Sequence, residues 1–201
     1  KEIFDKYSID GVINFAAESH VDNSIVNPKV FVETNVTGVF NLLNIAYTSW
    51  MNGPHSKKAK YEHSRFHQIS TDEVYGSIRN GSFNENDRHN PSSPYSASKS
   101  AADMIVMSYY KTYGLNTTIS YSSNNFGPNQ HKEKFIPKVV EILMNAGQIP
   151  LYGDGNNIRD WISVIDNCKA IELIFFNGKS GESYNIGGNN EFSNISIIKL
   201  I

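Results

Sequence analysis

The chain has 201 residues, of which 39% are hydrophobic and 19% are charged, and its formal net charge is −2. This length suits one domain or slightly more and can bury a substantial core. The near-neutral charge excludes the general basic surface expected for nucleic acids or anionic membranes, and no apolar run approaches the length of a membrane span. A single cysteine, Cys168, cannot form an internal disulfide. We therefore expect a reducing, cytoplasmic location.

Both ends of the chain read as internal sequence. Lys1 stands where a start methionine would be, and residues 1–7 have the pattern of a helix that lacks a preceding cap. From Asn194 a second helical pattern begins, and it stops within a turn at Ile201. We expect a segment of a longer protein, which would not turn over substrate by itself.

Apolar runs alternate with long amphipathic segments in the first half of the sequence. Residues 11–17 form a run typical of a buried parallel strand, and apolar spacing predicts a helix from Pro28 to Met51. A polar loop over 52–64 then leads to a second strand over 66–70. This order predicts a crossover between parallel strands.

The second half continues the alternation. An irregular stretch over 78–93 precedes a long helix from Pro94 to Tyr113, which Gly114 ends, and a third strand over 115–120. Farther along, we predict a helix over 134–145, a strand over 149–152, a helix over 165–176, a strand over 184–186 and a helix from 194. The pattern indicates an α/β fold with a parallel sheet, whose ligands bind beyond the carboxyl ends of the strands.

Tyr95 and Lys99 lie four residues apart and share a face of the helix that Pro94 opens. A nearby ammonium lowers the pKa of a phenol from about 10, so Tyr95 is a candidate base near neutral pH. The alternative is a surface helix in which this spacing is a coincidence. The position of the pair directly after Pro94, following a central strand, favours the functional interpretation.

A polar, doubly acidic cluster follows the second strand. Asp72 and Glu73 point to opposite faces if the strand continues, but both can serve one ligand if the chain turns before Gly76. Two carboxyl groups in different environments can divide the roles of proton donor and acceptor. The alternative is helix capping by Thr71 or Asp72. No third ligand lies nearby, so we predict no metal site.

Two further segments carry groups suited to phosphates and hydroxyls. Asn124 and Asn125 follow the third strand, where their amides can hold such oxygens or simply form a turn. Arg159 suits a diphosphate, or it can pair with Asp160. The glycine-rich loop of a dinucleotide fold is absent from the sequence, and we expect Cys168 on an apolar helix face in the core.

Taken together, these segments resemble the extended short-chain dehydrogenase/reductase family, and within it the 4,6-dehydratases that act on dTDP-glucose. The resemblance rests on residues 16–22, 33–35, 70–76, 93–99, 123–128, 133–137, 152–155, 158–161 and 184–188. It implies a Rossmann-like, doubly wound parallel sheet that is partial here, because the N-terminal strand and glycine-rich loop are missing. Residues 1–125 would form the NAD-binding portion and 126–201 part of a sugar-nucleotide-binding lobe with interleaved Rossmann elements.

The resemblance also implies a hydro-lyase of deoxysugar biosynthesis. Tyr95, polarised by Lys99, would take the proton of the C4 hydroxyl as the sugar is oxidised by NAD, while Thr71 would bind the C4 oxygen. Glu73 would then remove the C5 proton and Asp72 would protonate the departing C6 hydroxyl, which gives dTDP-4-keto-6-deoxyglucose and water.

The binding residues implied by the resemblance fall into two sets. The cofactor set is Ala16, Ala17, Ser19, Thr34, Tyr95, Lys99 and Asn125, and the dTDP-glucose set is Thr71, Asn124, Lys134, Phe135, Tyr152, Arg159 and Asn194. The family implies a homodimer through helices 28–51 and 94–113. A 4-epimerase, a decarboxylase of the same family, and an inactive binding or dimerisation fragment are the alternatives; an epimerase has no use for adjacent Asp72 and Glu73.

Overall fold

The structure is a computed structural model and describes residues 1–150 and 153–201. Its helices are α1 (Glu2–Tyr7), α2 (Val21–Val26), α3 (Pro28–Phe31), α4 (Gly38–Trp50), α5 (Pro94–Tyr113), α6 (Phe135–Met144), α7 (Val164–Asn177) and α8 (Asn194–Leu200). Its strands are β1 (Gly11–Asn14), β2 (Met51–Gly53), β3 (Ser56–Lys57), β4 (Arg65–Thr71), β5 (Thr117–Ser122), β6 (Asn124–Phe126), β7 (Ile158–Ser163), β8 (Ser183–Ile186) and β9 (Glu191–Ser193). A π-helical turn, Val32–Thr37, joins α3 to α4, and 3₁₀ turns cover Ala59–Tyr61 and Asp72–Tyr75.

The chain divides into two compact units. The first contains residues 1–121 and 172–185, and the second contains 122–171 and 186–201. The chain therefore passes from the first unit into the second at residue 122, returns to the first for residues 172–185, and ends in the second. The assignment of residues 1–125 to the cofactor and 126–201 to the sugar nucleotide stays a prediction.

The first unit is built on a four-stranded sheet in the order β1-β4-β5-β8. β1 and β4 pair in parallel, with Gly11 opposite Arg65 and Asn14 opposite Gln68. Helices flank this sheet, which confirms the predicted α/β class with a partial, doubly wound parallel sheet. Because the strand ends of a parallel sheet meet at one edge, β1 and β4 deliver their following loops to the same side.

The core of the first unit lies where α4 and α5 pack together and where aromatic side chains are buried. On α4 the buried residues recur at three- and four-residue spacing, and they include Leu43 and Trp50. Trp50 is fully buried, and its indole N–H donates to the Ile9 carbonyl at 2.7 Å. Each such large apolar side chain contributes about 1.5–3 kcal/mol on burial. This packing fixes the position of α5, which carries Tyr95.

The second unit contains a three-stranded sheet in the order β6-β7-β9. β6 and β7 are parallel, and β7 and β9 are antiparallel, with Arg159 opposite Phe192. The carboxylate of Asp160 accepts the backbone N–H groups of Gly188 at 2.6 Å and Asn190 at 2.7 Å. These bonds hold the loop before β9 against β7.

Several sequence-based element predictions are corrected by the structure. Residues 15–17 lie outside β1, and β5 begins two residues later than expected, at Thr117. Residues 158–163 form strand β7, for which the sequence analysis has no prediction, because β7 pairs on both sides with segments that are distant in sequence. Residues 149 and 150 are not in a strand, and the rest of that prediction lies outside the described residues.

Cys168 is exposed, so its predicted place in the core is wrong; it lies on the outward side of α7, where Asp166 and Lys169 are also exposed. Among the described helices, none combines the length and the apolar character needed to cross a membrane.

Candidate active site

The carboxyl end of β4 turns sharply and places two carboxyl groups in a single 3₁₀ turn, Asp72–Tyr75. Thr71, the last residue of β4, accepts the backbone N–H of Glu73 on its side-chain oxygen at 3.3 Å and so caps this turn. Gly76 ends it with φ of 85°, and a Cβ there would collide with the carbonyl of Asn90. The chain thus makes the turn that two carboxylates serving one ligand require.

Tyr95 lies in the first turn of α5, and the helix start is rigidly defined. Ser93 accepts the N–H of Ser96, and the Ser96 side chain accepts the N–H of Ser93, each at 3.1 Å. Pro94 occupies the first helical position. The ring of Phe31 meets the Tyr95 ring edge-on with centroids 6.4 Å apart. The phenol is therefore held in place by its helix start and by an aromatic contact.

Thr71, Asp72 and Glu73 lie close enough to Tyr95 to affect its ionisation. Burial raises the pKa of Tyr95, the charge of Glu73 raises it further and Asp72 adds to this, whereas a hydrogen bond with Thr71 opposes the rise. The structure therefore gathers the phenol and both carboxyl groups, which lie more than twenty residues apart in sequence, in one place.

The electrostatics of Tyr95 correct the sequence-based expectation that Lys99 lowers its pKa. Lys99 is buried, and its ammonium donates to the main-chain carbonyl of Ile69 at 2.6 Å. Burial lowers the pKa of Lys99 itself. Desolvation, and after it the carboxylate of Glu73, instead raise the pKa of Tyr95 above its usual value.

The loop after β1 carries three of the predicted cofactor residues and is held by Asn35. Ala16 and Ser19 are exposed in this loop and Ala17 is partly buried. Asn35 is fully buried; its side-chain oxygen accepts the N–H of Glu18 at 2.8 Å, and its amide donates to the Glu18 carbonyl at 3.0 Å.

The same Asn35 amide also reaches the helix of the predicted base. It donates to the hydroxyl of Ser98 on α5 at 2.9 Å, so one side chain connects the loop after β1 to the helix that carries Tyr95. Thr34, also predicted as a cofactor residue, is its neighbour in the π-helical turn and is partly buried.

In the second unit, several residues predicted to bind cofactor or substrate lie at the start of a strand or helix. Asn124 and Asn125 open β6, where the amide of Asn125 donates to the Ser123 carbonyl at 3.0 Å. The side-chain oxygen of Asn125 is buried and accepts no hydrogen bond from the described residues. Lys134 precedes α6, and Phe135 begins it.

The remaining predicted ligands of the second unit lie on β7 and α8. Arg159 is exposed on β7, where its guanidinium donates to the Ile158 carbonyl at 3.0 Å. The alternative partner, Asp160, accepts two backbone N–H groups instead. Asn194 is the first residue of α8, and its N–H donates to the Asn157 carbonyl at 3.1 Å. Tyr152 lies outside the described residues.

Sequence reasoning missed two buried polar residues that support the site of the first unit. Asn35 follows Phe31 and precedes Val39 at four-residue spacing, so it is a polar residue on an otherwise apolar stripe. Asp103 follows Lys99 by the same spacing and is equally buried. In both cases the available signal was a polar side chain on the buried face of a helix.

Comparisons with known proteins place the chain in a family. The sequence model described as GDP-mannose 4,6 dehydratase matches residues 1–201. The chain belongs to this family. A dTDP-glucose 4,6-dehydratase of Haemophilus influenzae is 46% identical over 203 residues, which cover 100% of this chain and 59% of that protein.

Two solved structures resemble this member of the GDP-mannose 4,6-dehydratase family over almost its whole length. A double mutant of DesIV, a dTDP-glucose 4,6-dehydratase from Streptomyces venezuelae with NAD and DAU bound, is 42% identical with a TM-score of 0.87, and the match covers 96% of this chain and 56% of that one. The dTDP-glucose 4,6-dehydratase of Bacillus anthracis in complex with NAD is 42% identical with a TM-score of 0.84, covering 98% and 57%. The chain therefore spans little more than half the length of these relatives.

Proposed function

We propose that the protein to which this chain belongs is a hydro-lyase that converts dTDP-glucose to dTDP-4-keto-6-deoxyglucose and water, with NAD as a bound cofactor. The observation that carries this proposal is that Asp72 and Glu73 share one turn, which packs against α5, and that their charges raise the pKa of Tyr95 on that helix. An oxidation needs one base, whereas an elimination needs a second base and an acid. Relatives named dTDP-glucose 4,6-dehydratase support the same reaction.

The first unit offers a donor set that fits a dinucleotide cofactor. Ala16 and Ser19 present small side chains on an exposed loop whose backbone Asn35 fixes, so a flat ring or a ribose can approach it closely. Lys99 gives one of its three N–H groups to Ile69, and the others suit ribose hydroxyls. In our proposal the first unit holds the cofactor through Ala16, Ala17, Ser19, Thr34, Tyr95 and Lys99.

NAD, when bound, supplies reversible oxidation at C4 and reduction at C6, and its oxidised ring adds a positive charge. Tyr95 takes the proton of the C4 hydroxyl, and Thr71 donates a hydrogen bond to the C4 oxygen. The resulting ketone acidifies C5, so that Glu73 can remove the C5 proton. Asp72 gives its proton to the C6 hydroxyl, which leaves as water, and Glu73 returns its proton to C5 as C6 is reduced.

The second unit carries groups suited to the rest of the nucleotide sugar. Arg159 projects from β7 with an exposed guanidinium that can bind a diphosphate in bidentate fashion. Phe135 packs near Trp161 with centroids 6.1 Å apart, which gives an apolar surface beside Lys134 at the start of α6. Asn124, Tyr152 and Asn194 complete the proposed substrate set, and Asn125 completes the cofactor set.

A homodimer through helices 28–51 and 94–113 is part of the proposal. The structure divides the first predicted helix into α3, the π-helical turn and α4, with Met51 in β2, while the second is α5. Exposed apolar side chains on these segments include Val32, Phe40 and Met104, which are 52%, 44% and 62% exposed. Burial of this surface against a second copy would stabilise the assembly. A cytoplasmic location stays a prediction.

The experiment is to incubate the full-length protein with dTDP-glucose and NAD and to measure the product mass. The proposal predicts loss of one water and a ketone signal at C4 by NMR. A product with the mass of the substrate would indicate a 4-epimerase. Loss of carbon dioxide in a parallel incubation with the corresponding nucleotide uronic acid would indicate a decarboxylase. Either result would reject the dehydratase.

A further inference from the structure

A carboxyl group that the proposed reaction does not use is buried directly behind the site. Asp103 lies on α5 and is only 1% exposed. Its Oδ2 accepts a hydrogen bond from the Ser70 hydroxyl at 2.6 Å. Its Oδ1 is also buried and receives no hydrogen bond from the described residues. A buried, ionised carboxyl group with one oxygen that accepts no hydrogen bond destabilises the fold unless a nearby positive charge compensates it.

The compensating charge lies one helical turn earlier on the same face of α5. Lys99 donates to the carbonyl of Ile69, and Asp103 accepts from the next residue of β4, Ser70. Two opposite charges at (i, i+4) thus bond to consecutive residues of one strand. The residue that follows them is Thr71, so these two bonds fix α5 against the end of β4 where the turn with both carboxylates begins.

The two groups also influence each other electrostatically. Burial lowers the pKa of Lys99, and the charge of Asp103 raises it in compensation. Burial raises the pKa of Asp103 to about 7, and the charge of Lys99 and the Ser70 hydrogen bond both oppose this rise. Each charge is therefore maintained in part by the other.

Other ionisable groups face the pair from the elements packed against it. The charge of Asp103 raises the pKa of three tyrosines: Tyr95 on α5, Tyr75 on the 3₁₀ turn and Tyr121 on β5. On its outer side, Asp103 forms part of the wall of a cavity of about 650 Å³ whose other titratable lining residues are Glu85, Asp87, Arg88, His89, Lys111 and Tyr121. Lys99 is the one cation among the helical neighbours within a turn of Asp103 in the sequence.

We propose that Asp103 is a positioning residue, whose buried carboxylate holds the Lys99 side chain charged and seated on the Ile69 carbonyl, next to Tyr95. This inference rests on the proposed function in so far as Lys99 serves the cofactor and Tyr95. Asp103 touches neither substrate nor cofactor in this scheme; it acts on the site through Lys99, while its charge also raises the pKa of Tyr95.

The test compares Asp103→Asn with Ser70→Ala in the full-length protein. Asparagine keeps the size and an acceptor for Ser70 but removes the charge, whereas Ser70→Ala removes the hydrogen bond and keeps the charge. The readout is the titration of Lys99, followed by ¹³C NMR of labelled lysine side chains and assigned with Lys99→Met. Since an opposite charge shifts a pKa by about 1–3 units, Asp103→Asn should lower the Lys99 midpoint by roughly one unit. Ser70→Ala keeps the carboxyl group of Asp103, so it should lower that midpoint less than Asp103→Asn does.

A second readout is the pH dependence of the Lys99 NMR signal in the wild-type protein, where the charge of Asp103 is retained. In the wild-type protein, the Lys99 signal should shift as Asp103 ionises near pH 7, and Asp103→Glu should preserve that shift. The alkaline limb of the pH profile for sugar oxidation should move with the Lys99 midpoint, which a merely structural role would not cause.

The inference is overturned if Asp103→Asn melts like the wild type while Lys99 titrates unchanged. A lowered Lys99 midpoint in a protein that releases no 4-keto product would support the Asp103–Lys99 pair and reject the proposed function.

Discussion

The side-chain oxygen of Thr71 accepts the backbone N–H of Glu73 at 3.3 Å. This hydrogen bond caps the turn that carries both carboxyl groups, and the same Thr71 side chain also bonds to Tyr95. Capping and participation in the site were competing interpretations of the sequence. In the structure Thr71 caps the turn that carries Asp72 and Glu73, the two residues to which the proposal assigns acid and base roles.

Replacement of Thr71 should therefore affect stability and turnover together. Thr71→Val removes the cap and the bond to Tyr95, and we expect a loss of about 1 kcal/mol in the free energy of unfolding together with slower sugar oxidation. Thr71→Ser keeps the hydroxyl and should retain both properties. Urea denaturation and stopped-flow kinetics measure the two effects; normal kinetics in Thr71→Val would leave Thr71 with a capping role alone.

The ionisation of Tyr95 should respond to Glu73. Because the charge of Glu73 raises the pKa of Tyr95, Glu73→Gln should lower that pKa in the cofactor-free protein. Subtracting the ultraviolet titration of the matching protein that also carries Tyr95→Phe isolates the signal of this one phenol. Asp72→Asn provides the comparison, and its effect should be smaller, since Glu73 contributes more. An unchanged titration in Glu73→Gln would mean that the two side chains do not interact.

Loss of the Asn35 side chain should destabilise the first unit and loosen the loop after β1. Asn35 makes hydrogen bonds to both backbone groups of Glu18 and to Ser98, and each contributes about 0.5–1.5 kcal/mol. We expect Asn35→Ala to lower the free energy of unfolding by about 2–4 kcal/mol and to weaken NAD binding. Asn41→Ala, at an exposed position of α4, is the matched control. Equal melting temperatures for the two variants would contradict this role.

His67 should make the protein sensitive to acid. It is fully buried between the hydroxyls of Thr118 and Ser120, at 2.8 and 3.0 Å, and burial, with a smaller contribution from Arg65, lowers its pKa to about 4. The unfolded chain binds this proton near pH 6.5, so the stabilisation is present above that pH and is lost as the pH falls towards 4.

The size of this acid effect is on the order of 3 kcal/mol for a shift of this magnitude. Urea denaturation between these pH values should show the decline in the wild type and a shallower one in His67→Gln. His63→Gln, which replaces an exposed histidine, should retain the full decline. An identical decline in His67→Gln and the wild type would exclude His67 as its cause.

What could be predicted from the sequence was set by local signals. Helix α5 begins at Pro94 and ends before Gly114 as expected, because its cap, its first-turn proline and its terminal glycine are all adjacent in sequence. Strands β7 and β9 were not predicted, since they depend on pairing between distant segments.

The site shows the same contrast between features set by residues close in sequence and features set by residues distant in sequence. The spacing of Tyr95 and Lys99 was visible in the sequence, but the direction of the Tyr95 pKa shift was not. That direction depends on burial and on Glu73, which comes from β4. Asn35 and Asp103 were missed because the sequence does not show which polar side chains a fold encloses.

The central claim is that Glu73 removes the C5 proton after Tyr95 has assisted oxidation. A single turnover of the full-length Glu73→Gln variant with dTDP-glucose and NAD tests it most directly. Oxidation should proceed and elimination should slow by about 10²–10⁴-fold, so reduced cofactor accumulates and the sugar retains its C6 hydroxyl. Release of dehydrated product at the wild-type rate, with no build-up of reduced cofactor, would contradict the account.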